Sequence, residues 1–155
     1  MEAYSLRYSV IADAYEKIEA TTKRLEMTDY LVKLLKDTPK ELIDKVVYLT
    51  QGKLYPDFMG IEIGVAEKLA IRAIAKASGH SEKEIEENLK KTGDIGETAQ
   101  SFIAKRKQVT LFHEPLTVRK VYETFDKMAK ATGEGAMDLK VSLLAGLLTN
   151  ATPKE

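Results

Sequence analysis

Two short runs pair threonine and glycine with acids: "KKTGDIGETAQ" (90–100) and "KATGEGAMD" (130–138). Glycine-rich helix starts hold phosphates, because free backbone amides and the positive end of the helix dipole converge there. A third group, Thr21, Thr22, Lys23 and Arg24, brings two hydroxyls and two cations to a joint between two apolar-periodic segments. Hydroxyls, amides and cations together suit a nucleic-acid backbone. A plain hydroxyl cap on the second segment explains the same four residues equally well.

The first run fails as a cradle on charge. Gly93 stands where a left-handed helix end favours glycine, Asp94 then caps the next helix, and Glu97 follows three residues on. Both carboxylates would meet an incoming phosphate, so this run reads as a joint. The second run differs after its first half. Ala136 and Met137 offer no capping oxygen, so Gly133 and Gly135 leave a backbone that another molecule could approach closely. A purely structural joint is the competing reading.

Other reactive groupings are sparse. His80 and His113 are 33 positions apart in numbering and lack metal-ligand spacing to a second histidine; both read as solvated surface residues. "HEP" (113–115) lacks the second histidine of the helical zinc signature. No P-loop, dinucleotide fingerprint or GxSxG elbow occurs. Glu86 and Glu87 fit a solvated helix face. Lys105, Arg106 and Lys107 close a helix, as dipole partners do, and Arg119 with Lys120 open another. No nucleophile with a base can be proposed, so the chain by itself is expected not to be a catalyst.

The elements that carry these groups are helical throughout. Apolar stripes at helical spacing run through Tyr8–Ile18, Met27–Leu35, Leu42–Val47, Ala66–Ala77, Ile95–Ile103, Val118–Met128 and Val141–Leu148. Ser81 with Glu84 opens a further short helix through Ile85 and Leu89, Pro39 suits a first helical position, and Thr117 reads as an N-cap. The alanines of 66–77 leave room for a close helix neighbour. Residues 50–64, with three glycines and a proline, are the longest expected loop, and 107–116 the second. The prediction is an all-α single domain of about eight short amphipathic helices in an irregular, orthogonal bundle.

Bulk properties fit one globular domain. The 155 residues are 44% apolar and 31% charged, with 24 basic and 24 acidic residues and no cysteine. The absence of cysteine favours a reducing, intracellular setting. No apolar run approaches the ~20 residues of a membrane span. The balanced charge means that any nucleic-acid surface must gather its cations on one face.

Five segments in order carry a resemblance. They are "YEKIEATTKRLEMTDYL" (15–31), "GIEIGVAEKLAIRAIAKASG" (60–79), "KKTGDIGE" (90–97), "EPLTVRKVYETF" (114–125) and "TGEG" (132–135). Together they closely resemble the N-terminal DNA-binding domain of ATP-dependent DNA ligases of the archaeal and eukaryotic replicative type, with a short N-terminus more like the archaeal form. The resemblance spans nearly the whole chain, 1–155. It implies an all-helical domain that holds nicked duplex DNA across the minor groove, helping a catalytic core and an oligonucleotide-binding domain encircle the nick. It implies that Thr21, Thr22, Lys23 and Arg24 face DNA; Gly133 and Gly135 are expected, from their open backbone, to make a second contact. ATP and Mg2+ would serve the parent enzyme and neither would be held here; the adenylated lysine lies in a downstream "KxDG" motif that this sequence lacks. Replication, repair and recombination in an archaeal cytoplasm, or a eukaryotic nucleus, would be the setting. Ala136 and Met137 depart from the family, which commonly has a serine and a polar residue after "TGEG".

The resemblance also implies a fragment, since helices rich in arginine and glycine follow "TNATPKE" in the family. On that basis Leu139, Val141, Leu143, Leu144, Leu147 and Leu148, apolar around most of a helix, are expected to lack one neighbour, so that the piece self-associates through this helix or the helix shifts to cover the gap. A helical protein-interaction domain with no direct DNA role is the alternative, which the zero net charge favours.

Overall fold

The computed structural model describes residues 5–107 and 113–155. Among them the chain forms eight α-helices and no strand: α1 (Tyr8–Glu19), α2 (Arg24–Asp37), α3 (Ile43–Thr50), α4 (Glu67–Ser78), α5 (Glu82–Thr92), α6 (Ile95–Ala104), α7 (Val118–Lys130) and α8 (Ala136–Asn150). The predicted all-α domain and its helix number agree with this. Short 3-10 turns at Lys40–Leu42 and Asp57–Met59 fill two connections, and Pro39 stands just ahead of the first rather than inside a helix. No helix among the described residues is long and apolar enough to cross a membrane.

α4 and α8 form the spine. Leu69, Ala73 and Ala77 of α4 pack against Val141 and Ala145 of α8, joined by Ile103 of α6 and Met128 of α7. Alanine at these positions lets the two axes come close, as the small-residue face predicts. Around α4, Ile71 and Ile74 meet Ile85 of α5 and Phe102 of α6. α1 and α2 pair at one side, where Ile11, Leu34, Val46 and Val118 make a separate core with α3 and α7. The start of α1 is tied to the start of α7 by backbone bonds, Tyr8 N–H to the Leu116 carbonyl at 2.9 Å and Val118 N–H to the Leu6 carbonyl at 2.8 Å.

The expected bare face of α8 is smaller than its sequence implies. Val141, Ala145 and Leu147 are buried, and Leu143, Leu144 and Leu148 pack on the α4 core. Leu147 faces a second group, Leu116, Val121 and Ala151. Neighbours on two sides therefore come from within the chain. Only Leu139 (49% exposed) and Met137 (52%), in the first turn, stay largely in solvent. Self-association through this helix would have little more than these two side chains to bury.

The long loop between α3 and α4 is pinned at its root. Leu54 is buried, its carbonyl accepts a hydrogen bond from the buried Tyr122 hydroxyl, and the Tyr55 hydroxyl donates to Asp126 at 2.6 Å. Asp126 in turn pairs with Lys130 at 2.9 Å. Part of the second expected loop, 108–112, lies outside the described residues.

Candidate nucleic-acid interface

The 90–100 run is a joint, built by local chemistry. Gly93 takes φ +70°, and its N–H reaches the Leu89 carbonyl at 2.8 Å, ending α5. The Asp94 carboxylate accepts the Glu97 N–H at 2.9 Å and starts α6. Gly96 has its own reason: a Cβ there would stand 3.0 Å from the Asp94 carboxylate. The run's two glycines thus serve a helix end and the room a cap needs. The neighbouring hollow is lined by Glu19, Asp94, Glu97 and Glu155, with Lys154 the one cation among its lining residues. That field repels a phosphate.

The Thr21–Arg24 joint is built differently. Thr21 is half-buried and engaged twice, donating to the Glu26 carboxylate at 2.6 Å and accepting the Lys23 N–H at 3.1 Å. Thr22, Lys23 and Arg24 are exposed. Lys23 is the N-cap of α2, and no side chain caps that helix. The Thr21 hydroxyl thus holds the Lys23 N–H, and the N-cap side chain itself makes no cap. The first-turn amides of α2 lack a side-chain partner and stand at the positive end of its dipole. Lys23 pairs with Glu26 at 3.3 Å across an exposed surface; such pairs are worth about 0–1 kcal/mol and exchange readily. Among the described residues no carboxylate stands within ion-pair distance of Arg24. This joint can accept an anion.

Gly133 and Gly135 also carry positive φ, +84° and +79°, and nothing lies within 4 Å of a Cβ built at either. Gly135 is the N-cap of α8, again without a side-chain cap. The glycines are demanded by backbone conformation, and the surface over them is open. The structure does not bring this loop to the Thr21–Arg24 joint. The loop precedes the start of α8, whereas the tail after α8 reaches α1, with Lys154 3.0 Å from both Asp13 and Glu16. The two sites thus lie toward opposite ends of α8, whose 15 residues span about 22 Å.

Three other basic or histidine groups resolve as structure. Arg106 donates to the Thr149 carbonyl at 2.8 Å, tying α6 to the end of α8, and Lys105 lies over the Phe102 ring at 4.5 Å. His80 is not solvated as its sequence position suggests. Its side chain is 12% exposed, and its ring nitrogens stand 2.7 Å from the Glu84 carboxylate and 3.0 Å from the Lys105 carbonyl. The His80 bond holds the Glu84 carboxyl below its ordinary range, helped by Lys107 and Lys105. Glu84 N–H still donates to the Ser81 hydroxyl at 3.2 Å, so half of the expected capping box forms while the carboxylate serves the histidine. His113 is exposed.

One further basic group gains its setting from the structure. Lys68, Arg72 and Lys76 recur every fourth residue on α4, a spacing visible in the sequence but overshadowed there by the alanine stripe beside it.

Among the described residues no group of three or more His, Asp or Glu could hold a metal ion. Comparison with known proteins gives the family. The model of the DNA ligase N terminus matches residues 7–155. The chain is 51% identical over 150 residues to a DNA ligase of Nitrosopumilus maritimus, covering 97% of this chain and 26% of that protein. Against DNA ligase 2 of Thermofilum pendens it is 55% identical over 160 residues, covering 99% and 27%. A DNA ligase of Thermococcus onnurineus is 43% identical over 150 residues, covering 97% and 27%. The chain thus spans about a quarter of the length of the curated relatives it matches, and it belongs to the DNA ligase N-terminus family.

Proposed function

We propose that the chain is a DNA-binding module of an ATP-dependent DNA ligase, helping to hold nicked duplex DNA through backbone and minor-groove contacts during replication and repair. The observation that carries this reading is the α1–α2 joint. There Thr22, Lys23 and Arg24 stand exposed at the uncapped start of a 14-residue helix, in a chain related to DNA ligases. Amides, cations and a hydroxyl converging on one point suit a phosphate. Gly133 and Gly135 support a second contact, where a bare backbone can approach a strand.

ATP and Mg2+ belong to the reaction of such a ligase. The partners of this chain would be the duplex and the remaining ligase domains, in an archaeal cytoplasm.

Replacing Lys23 and Arg24 together by alanine tests the reading. Binding to duplex DNA should weaken about equally for all sequences, and the log–log salt slope should fall by ~1 for each phosphate that is no longer neutralised. In a full-length ligase carrying the domain, self-adenylation should not change. Unaltered DNA binding by the folded double variant would favour the protein-interaction alternative; lost adenylation would show that the joint serves something other than DNA.

A further inference from the structure

α4 and α8 run side by side with their numbering rising together. Arg72 bonds Asp138 at 2.8 Å and, one turn on, Lys76 bonds the Ser142 hydroxyl at 2.9 Å. Lys68 stands one turn before Arg72, toward the end of α4 that lies nearer the Gly133–Gly135 loop preceding α8. Three cations of α4 therefore follow one side of its seam with α8, and the partners Asp138 and Ser142 lie in the first two turns of α8, just past the open glycine loop.

The opposing charge is modest. Asp138 pairs with Arg72, but its side chain is 78% exposed, so a phosphate can displace it at little cost. Lys76 has a neutral hydroxyl as partner and keeps its charge uncompensated. Lys68 is exposed and has no carboxylate within ion-pair distance among the described residues. Glu67 and Glu134 are the remaining acids of this stretch.

Positions four apart on a helix are separated by ~6 Å along its axis. A duplex strand carries one charge per ~3.4 Å of axis, so the three α4 cations can each meet a phosphate of one strand. We propose that Lys68, Arg72 and Lys76 form a phosphate-binding ledge that continues the Gly133–Gly135 contact along α4. The ledge rests on the reading of the chain as a DNA-holding module and extends it: the strand enters at the glycines and runs along the seam. Contacts of this kind position the duplex without reading its sequence.

The test compares three proteins by fluorescence anisotropy with a labelled nicked duplex over a salt series: the unaltered chain, Lys68→Gln with Lys76→Gln, and Lys83→Gln with Lys90→Gln. The last pair removes the same charge from exposed positions on α5. Neither ledge lysine is buried, so both variants should keep the melting temperature. The ledge variant should bind more weakly, with a salt slope shallower by ~1 for each lysine removed, while the α5 variant keeps the slope of the unaltered chain. Equal behaviour of the two variants would overturn the ledge and leave the DNA reading standing. Absence of binding by the unaltered chain at low salt would overturn both.

Discussion

At the scale of single residues, Asp94 and His80 mark what a sequence can and cannot tell. Asp94 acts on an amide three residues away, so its role follows from spacing alone. Asp94→Ala should lower stability by ~0.5–2 kcal/mol through loss of the cap and leave DNA affinity unchanged or slightly raised, as thermal melts and a duplex titration would record. Loss of DNA binding with an unchanged melting temperature would contradict the joint assignment. His80 is another matter. One of its acceptors is the Lys105 carbonyl, 25 residues on, and its ring meets Phe102 edge-on at 5.0 Å between centroids. No local pattern announces a partner supplied by another helix. Thr21 is intermediate: the hydroxyl–cation cluster is legible in the sequence, but its division into an engaged Thr21 and an exposed Thr22–Arg24 depends on where Glu26 points.

At the scale of elements, the 3.6-residue period suffices for the helices, because each buries one face against its neighbours. α8 resists the same logic. Its apolar girth shows that it needs several neighbours, but only the packing shows that α4 and α7 provide them. The basic stripe on α4 is visible as a spacing, yet its continuity with the glycine loop follows from parallel packing on α8, which is a tertiary fact. The α3–α4 loop offers a test of how one element is fixed to another. Burial pushes the Tyr122 hydroxyl up to about 12, with Tyr55 and Asp126 adding to the effect, and burial does the same to Tyr8 at the start of α1, also to about 12. An unfolded tyrosine titrates near ~10. The folded values lie above the unfolded one, so the stabilisation is complete below pH ~10 and is lost as pH rises toward 12. Melting temperature should therefore decline across that window. Tyr122→Phe should melt lower at neutral pH, because the Leu54 carbonyl loses its donor, and should decline less steeply in alkali. A variant as alkali-sensitive as the unaltered chain would assign the effect elsewhere.

At the scale of the whole molecule, 24 cations and 24 anions cancel, and function depends on their arrangement. Acids gather where α1, α6 and the tail meet, while exposed cations stand at the start of α2 and along the α4–α8 seam. A neutral chain with two separated basic sites should neutralise only a few phosphates. Each neutralised phosphate contributes ~0.9 to the log–log salt slope of duplex binding, so affinity should be weak, indifferent to sequence and lost as salt rises. Titrating nicked and intact duplex at two salt concentrations measures this directly. Saturable binding at low salt that falls with a slope of a few units is the expected result. Binding that is absent at low salt, or sub-micromolar and insensitive to salt, would contradict it.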